Sequence, residues 1–318
     1  MNVAKGGELV RFVLTLRALD VIELPPYKGS TFRGGFGTAF KKVVCTIKGT
    51  ECDNCLLKSK CIYSYVFETP PPEDSEILRK YENAPHPFII EPPPETKRIY
   101  KPGETITFNL ILIGKAIDYL AYFIYTFIEL GKTGIGKGRG QYELTGVSCD
   151  GKAVYNSADG QLKYFPIHLP SISESLKSTN GFESSGSITF NFFTPTRLVV
   201  NEDLVVEPEF HHLIRGLLRR ISNLSYFHYG ERLSLDFKGL IERASDIKVK
   251  DSATQWYDWE RYFSRQDTRM KLGGFIGKVS FEGDLKEFMP FIKLGEILHV
   301  GKGTGFGLGR YEVVTGID

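Results

Sequence analysis

Apolar and polar residues alternate along two well-separated segments of the chain. Residues 12–18 place Phe, Leu, Leu and Ala on one face and mostly polar or charged side chains on the other, and residues 188–192 repeat this alternation. A period of two is typical of a β-strand with one buried face. The pattern therefore predicts a strand near the start of each half of the chain.

Between these strands, apolar residues recur with the i, i+3, i+4 spacing of amphipathic helices. The predicted helices cover residues 31–44, 117–128, 211–224 and 285–298. Further strands are expected at 105–113 and 142–144 in the first half, and near 245–256, 272–282 and 311–313 in the second. The order reads β-α-β-β-α-β twice, which predicts an α+β protein made of two tandem ferredoxin-like domains, the plan that RNA-recognition modules use.

The length of 318 residues agrees with two domains of about 150 residues each. Predicted boundaries are an N-terminal domain over 1–165, a Ser- and Gly-rich linker over 166–186 and a C-terminal domain over 187–318. The first domain carries a Cys-rich insertion at 45–61 and a Pro-rich loop at 69–94.

Composition narrows the class of protein without identifying it. With 42% hydrophobic and 25% charged residues, the chain is expected to be folded and soluble. It shows neither a membrane-spanning stretch nor a signal peptide, so we expect no membrane partner and a cytoplasmic location. The formal net charge of +2 does not indicate nucleic-acid binding, so the distribution of the charges has to decide.

Two glycine-rich stretches resemble each other, GKTGIGKGRGQYELTGV at 131–147 and GKGTGFGLGRYEVVTGI at 301–317. Neither fits a dinucleotide-binding or P-loop motif, because the glycine spacing fails and the stretches follow helices. The loops carry basic residues and no acids, and we expect their glycine backbone to point N–H groups outward. Both features suit the binding of a phosphodiester chain. Close packing of helix on strand is the alternative. The RNA-binding candidates, beside Lys132, are Gly134, Gly136, Lys137, Gly138, Arg139, Lys302, Gly303, Gly305, Gly307, Gly309 and Arg310.

A second basic run interleaves charge with aromatic residues. Arg261, Arg265 and Arg269 surround Tyr262 and Phe263, so that stacking and charge occur together. This run is a further RNA-binding candidate, and an ordinary charged loop is the alternative.

Four cysteines fall within seventeen residues, at Cys45, Cys52, Cys55 and Cys61. Disulfides are disfavoured in the cytoplasm, and four thiolates with a Cys-x2-Cys turn fit tetrahedral zinc. The spacing predicts a structural zinc ion; an iron–sulfur cluster or a metal-free loop are the alternatives.

The segment GEILHVGKGTGFGLGRYEV at 295–313 resembles the C-terminal signature of the RAMP superfamily of CRISPR-associated proteins, in particular the pre-crRNA processing endoribonucleases. Residues 27–37, the cysteine group with 63–68, and 193–198, 259–266 and 273–277 resemble other parts of that family. The resemblance implies CRISPR repeat RNA, or pre-crRNA, as substrate. It also implies metal-independent cleavage by 2′-hydroxyl attack that leaves 2′,3′-cyclic phosphate and 5′-hydroxyl ends, with no cofactor for catalysis.

The implied chemistry needs a base, a cation and an acid. Relatives often place a histidine in or just before the first helix, and this chain has Thr38 at such a position. The remaining catalytic candidates are Tyr27 and Lys28 with Lys41 or Lys42, or else His228.

Two other functions stay open at this stage. One is a non-catalytic RAMP subunit that binds RNA in a CRISPR effector complex with other Cas proteins. The other is a zinc-stabilised scaffold for protein interactions without affinity for repeat RNA. We expect a monomer or a homodimer.

Overall fold

The computed structural model describes residues 9–71, 84–163, 172–177, 186–258, 260–263, 268–271 and 273–316, with the backbone alone for 260–263 and 268–271. The chain divides into two compact units. One comprises Met1–Leu169 with Phe227–Tyr229, and the other comprises Pro170–Tyr226 with Gly230–Asp318.

The N-terminal unit is built on one antiparallel sheet with the strand order β3-β5-β1-β6-β7, while β2 and β4 pair separately. Its elements are β1 (Leu9–Ala18), β2 (Ile22–Glu23), α1 (Gly29–Val44), β3 (Phe88–Glu91), β4 (Ile99–Tyr100), β5 (Thr105–Ile113), α2 (Leu120–Thr133), β6 (Tyr142–Cys149) and β7 (Lys152–Asn156).

The C-terminal unit is built on a second antiparallel sheet with the order β11-β14-β8-β15, and two short ribbons, β9 with β10 and β12 with β13, lie outside it. Its elements are α3 (Ile172–Lys177), β8 (Ser187–Thr196), β9 (Val199–Val200), β10 (Asp203–Leu204), α4 (Phe210–Leu224), α5 (Phe237–Ala244), β11 (Lys248–Tyr257), β12 (Glu260–Phe263), β13 (Thr268–Lys271), β14 (Gly274–Glu282), α6 (Met289–Leu298) and β15 (Tyr311–Thr315).

Both sheets follow the ferredoxin-like order. In each, the first strand of the β-α-β-β-α-β unit lies between the third and the fourth, and the second strand is at an edge. The predicted tandem ferredoxin-like fold is confirmed. The elements were predictable because the buried faces of β1, β8, α2 and α4 keep the strand and helix periods in the sequence.

The Pro-rich loop predicted over 69–94 contains a strand that the sequence did not reveal. β3 covers Phe88–Glu91, and all four residues are buried as the strand pairs with β5. A four-residue run with both faces covered shows no alternation, and the prolines on either side favour a loop. Similarly, the described part of the predicted linker 166–186 includes α3, which buries Ile172 and lies against α6.

An aromatic cluster fills the space between α1, α2 and the N-terminal sheet. The Phe36 ring stacks on Phe123 and Phe127, with centroid distances of 5.1 and 4.9 Å, and Phe88 of β3 joins the cluster at 5.9 Å. Phe36, Phe88, Phe123 and Phe127 have no exposed surface. Replacing such a residue with alanine typically costs about 3–5 kcal/mol, so this cluster anchors both helices on the sheet.

A histidine takes part in the N-terminal cap of α4. The backbone N–H of Glu209 donates to Nδ1 of His212 at 3.2 Å, and the Glu209 carboxylate accepts from the backbone of the same turn. Burial, the adjacent His211 ring at 4.1 Å and Arg215 lower the pKa of His212 below its ordinary 6.5, against an opposing effect of Glu209. The cap therefore requires the neutral imidazole.

We expect stability to fall as the pH drops below 6.5, because the unfolded chain takes up the His212 proton first. Glutamine at this position can accept the same hydrogen bond without titrating. Between pH 7.5 and 5.5, His212→Gln should thus lose about 0.5–1 kcal/mol less unfolding free energy than the wild type, as measured by urea denaturation. Parallel pH profiles for the two proteins would contradict this role.

In the part of the chain that the structure describes, no helix has both the length and the apolar content that crossing a bilayer requires.

Candidate nucleic-acid interface

The two glycine-rich stretches form equivalent loops in the two units. The N-terminal glycine loop (residues 134–141) connects α2 to β6, and the C-terminal glycine loop (residues 299–310) connects α6 to β15. Each begins where a backbone N–H donates to the last helical turn at 2.8 Å, Gly134 to Leu130 and His299 to Gly295. Each ends at a buried tyrosine whose hydroxyl donates to the helix backbone, Tyr142 to Phe127 and Tyr311 to Ile292.

The hydrogen bonds inside the loops set the register of the repeat. Lys137 N–H donates to Glu23 O and Lys302 N–H to Arg197 O, both at 2.9 Å. Ile135 and Val300 likewise donate to the residue that closes their loop. Residues 135–137 therefore correspond to 300–302, whereas the sequence comparison matched 131 with 301. The C-terminal loop is longer, and its extra glycines obscure the register.

Close packing accounts for several of the glycines. A Cβ atom on Gly136 would lie 2.2 Å from Glu23 O, and one on Gly301 would lie 2.4 Å from Arg197 O. On Gly309 it would lie 1.8 Å from Val300 O. These contacts are far below van der Waals distance, so only glycine lets the loops approach the carbonyl groups.

The backbone N–H groups of the loops were expected to point outward. Most of those in the C-terminal loop donate to protein acceptors instead, including Gly309 to Pro195 O at 3.1 Å and Arg310 to Thr194 Oγ1 at 2.9 Å. Gly305 lies buried in a 3-10 turn, and the Gly307 carbonyl accepts from Thr194 Oγ1. Gly138 and Gly303 are exposed. Bare backbone is thus open to a ligand at these two glycines, and elsewhere the exposed side chains are the accessible part of the loops.

The loop cations differ in how strongly they are paired. The sequence showed no acid inside the loops, but acids outside them pair with two loop cations and with Lys132 at the end of α2. The ion pairs are Lys132–Glu129 at 2.6 Å, Lys137–Glu23 at 3.8 Å and Arg310–Glu312 at 3.3 Å. Arg139 and Lys302 are exposed, and within the described ranges neither makes an ion pair. One available cation thus stands on each loop.

Arg261 and Arg269 lie on the paired strands β12 and β13, where Tyr262 is opposite Arg269 in the register. Arg265, the third candidate of this basic run, lies outside the described residues. The run is therefore a β-ribbon on at least part of its length, rather than an irregular loop.

Tyr27 and Lys28 precede α1, and burial affects the reactive group of each. Lys28 has no exposed surface, and its Nζ donates to the carbonyl oxygens of Glu95 at 2.5 Å and Pro26 at 3.4 Å. Burial lowers the pKa of Lys28, and Glu95 opposes this effect. Burial raises the pKa of Tyr27 well above its ordinary value. Lys28 ties two segments together, and Tyr27 keeps its proton at neutral pH.

Lys41 and Lys42 lie in the last turn of α1. Thirteen residues of helix separate Lys28 from Lys41, so their backbones lie about 20 Å apart at 1.5 Å per residue. The joint Tyr/Lys constellation stays a prediction that this separation does not favour. The Lys41 ammonium lies 5.2 Å from the Tyr63 ring centroid, and its charge opposes the effect of burial on the pKa of Cys52. Lys42 is exposed.

His228 is held by both ring nitrogens inside the N-terminal unit. A carbonyl oxygen only accepts, so Nε2 carries the proton and donates to Pro85 O at 2.7 Å. Nδ1 of the neutral ring then accepts from the Tyr65 hydroxyl at 3.1 Å. Burial raises the pKa of Tyr65, which keeps this donor protonated. His228 is 7% exposed, and this geometry is that of a packing residue rather than a solvent-facing base.

The structure does not support the predicted zinc site. No group of three His, Cys, Asp or Glu side chains suited to a metal occurs among the described residues, which include all four cysteines. The Cys45 thiol donates to Ile47 O at 3.2 Å, while Cys52 and Cys61 pack against the apolar core. Burial is the main cause that raises the pKa of Cys52. Cys45 faces a backbone carbonyl and Cys52 and Cys61 face the apolar core, a difference that spacing alone could not show.

Two ferredoxin-like units in tandem, each with a basic glycine loop between its second helix and last strand, define the chain as a RAMP-type protein. Residues 190–311 match the family described as CRISPR-associated endoribonuclease Cas6. Residues 7–167 match the family AF_1859_N, described as an N-terminal domain. Together these matches and the fold support a Cas6 RAMP-type protein, with the Cas6 match itself confined to residues 190–311.

Individual proteins match the chain over nearly its whole length. A protein of Archaeoglobus fulgidus, named only as uncharacterized, is 25% identical over 298 residues, which cover 91% of this chain and 92% of the relative. A Cas6 product complex matches with a TM-score of 0.59 at 15% identity and covers 96% of this chain and all of the other. Thermus thermophilus Cas6 gives a TM-score of 0.56 at 15% identity, with 98% and 100% coverage. At such identities the likeness of the solved structures shows the fold.

Proposed function

We propose that this chain binds CRISPR repeat RNA and cleaves the precursor transcript at one phosphodiester without a metal ion. The 2′-hydroxyl loses its proton and attacks the adjacent phosphorus, and the bond to the 5′ oxygen breaks. The products are a 2′,3′-cyclic phosphate and a 5′-hydroxyl that takes up a proton. The observation that carries the proposal is the pair of equivalent glycine loops, each with an exposed cation, in a chain whose residues 190–311 match the Cas6 family.

The side chains assigned to RNA are those that the structure leaves accessible. Arg139 on the N-terminal glycine loop and Lys302 on the C-terminal one are proposed to contact phosphates, with Lys137 and Arg310 beside them. Lys42 is exposed at the end of α1 and makes no ion pair among the described residues. We assign it the role of a cation that stabilises the charge of the pentavalent phosphate.

The proposal is tested with wild-type protein and repeat RNA in EDTA. We expect cleavage at a single site, and none when the nucleotide at that site carries 2′-deoxyribose, because the attacking group is then missing. A 2′-deoxy substitution elsewhere in the repeat is the matched control and should leave cleavage intact. Cleavage that EDTA abolishes, or that continues on the 2′-deoxy substrate, would overturn the mechanism.

A non-catalytic RAMP subunit is the second candidate function. The observation in its favour is that α1 holds Thr38 where a catalytic histidine was expected, while both ring nitrogens of His228 bind protein atoms. Tight binding of the repeat without cleavage would support this function. An association with other Cas proteins agrees with either one. A partial Cas6-RT-Cas1–Cas2 complex shares the fold with a TM-score of 0.58 at 14% identity, and this chain spans 48% of it.

A further inference from the structure

An aromatic ring stands exposed on the open face of the C-terminal sheet. In β8 the residues Ile188, Phe190 and Phe192 are buried, and the alternate positions face away from the helices. Phe193 occupies such an outward position on this inner strand and is 48% exposed. The sequence pattern would place a polar residue there.

An arginine of the C-terminal glycine loop lies beside this ring. The Arg310 guanidinium carbon is 5.6 Å from the centroid of Phe193, and Nη2 contacts Glu312 at 3.3 Å. The guanidinium is partly exposed, since 24% of the Arg310 side chain is accessible. Ring and cation together offer the two contacts that single-stranded nucleic acid uses most, a stacking surface and a positive charge.

The backbone holds the pair in place before any ligand arrives. Phe193 N–H donates to Arg310 O at 3.0 Å, and Arg310 N–H donates to Thr194 Oγ1 at 2.9 Å. The same Thr194 hydroxyl donates to Gly307 O at 2.8 Å. These hydrogen bonds join the end of β8 to the glycine loop on both sides of the Phe193–Arg310 pair. Because the pair is already held in place, binding costs little further conformational entropy.

The surroundings favour a base over a protein partner. Across the strands, the nearest row on the open face is Lys278, Asn191 and Glu312, and the next is Ser280, Thr189 and Val314. The two rows are mostly polar or charged. A protein interface would require a broader apolar centre, whereas one planar base needs a single ring. With Lys278 exposed nearby, the charges also suit a phosphate chain.

We propose that Phe193 and Arg310 form a stacking site for one unpaired nucleotide of the RNA, on the open face of the C-terminal sheet. This site rests on the proposed function, since it adds a contact to the same substrate. Its role is to bind the RNA, and it takes no part in the chemistry.

The test measures affinity for repeat RNA by filter binding. Phe193→Ala should weaken binding about 5- to 100-fold, the effect of losing one base–aromatic stack. Phe193→Tyr keeps a ring and should stay within about 3-fold of the wild type. Val314→Ala, at a 67% exposed apolar position of the same face, is the matched control and should bind like the wild type. Melting temperatures establish that each variant is folded.

A photocrosslink locates the contact independently. Repeat RNA that carries 5-iodouridine at unpaired positions should crosslink to the peptide that holds Phe193, and Phe193→Ala should lose this product. Unchanged affinity of Phe193→Ala for repeat RNA, together with no crosslink to the Phe193 peptide, would overturn the stacking site. The proposed function would still stand if the wild type cleaves the RNA. Failure of the wild type to bind repeat RNA at all would overturn both.

Discussion

Gly134→Ala should lower the unfolding free energy of the N-terminal unit by about 2–6 kcal/mol. Gly134 ends α2 with φ 80° and ψ 162°, a backbone region that is nearly restricted to glycine, which alone costs a side chain about 1–3 kcal/mol. A Cβ atom would also lie 2.0 Å from Arg139 O, so the loop backbone has to move. Such overpacking typically adds about 1–3 kcal/mol.

Gly138 of the same loop is the matched control. Its φ of 78° is almost identical, but no atom lies within 4 Å of the added Cβ position. Gly138→Ala should therefore cost only about 1–2 kcal/mol, the strain of a left-handed backbone. Urea denaturation, with hydrogen exchange of α2 and β6 amides, measures both variants. Equal losses would show that close packing does not explain the glycine.

His228→Ala should destabilise the N-terminal unit by about 2–4 kcal/mol, because it leaves the Tyr65 hydroxyl and Pro85 carbonyl without their partner and opens a cavity. Thermal and urea unfolding measure the loss. Single-turnover cleavage at saturating RNA, below the melting temperature, should fall far less than the ~10²–10⁴-fold that loss of a general acid or base brings.

Tyr65→Phe provides the comparison for His228. It removes the hydroxyl that donates to Nδ1 and keeps both rings, so we expect a loss of about 1–3 kcal/mol for the unsatisfied imidazole nitrogen. A variant of His228 that remains folded but has lost cleavage ~10²-fold or more would return the residue to the catalytic candidates.

The catalytic candidates show why residue type was a poor guide to reactivity. Lysine and histidine were chosen for their chemistry, but Lys28 is enclosed by carbonyl groups and His228 by Tyr65 and Pro85. The Glu95 carbonyl that Lys28 binds is 67 residues away along the chain, and the Pro85 carbonyl that His228 binds is 143 residues away. Burial and hydrogen-bond partners at such separations leave no local pattern.

The loop cations show a similar limit. Arg310 was predicted to bind RNA from its place in a basic stretch. Its neighbour Phe193 lies 117 residues earlier, and the sequence analysis used it only as part of the motif at 193–198. One signal was available in advance: Phe193 interrupts the alternation of β8 by placing a large aromatic residue at an outward position. An apolar residue that breaks the period of a strand marks a surface worth testing.

Hydrophobic periodicity was enough to predict both ferredoxin-like units. Burial on one face of a strand or helix makes apolar residues recur at a fixed spacing, which a short stretch of sequence already shows. The repeat also predicted two equivalent loops. Which cations stay unpaired, where the thiols point and how the glycines pack depend on carbonyls, acids and rings from distant strands. Those contacts exist only once the sheets have formed, so folding in three dimensions decides them.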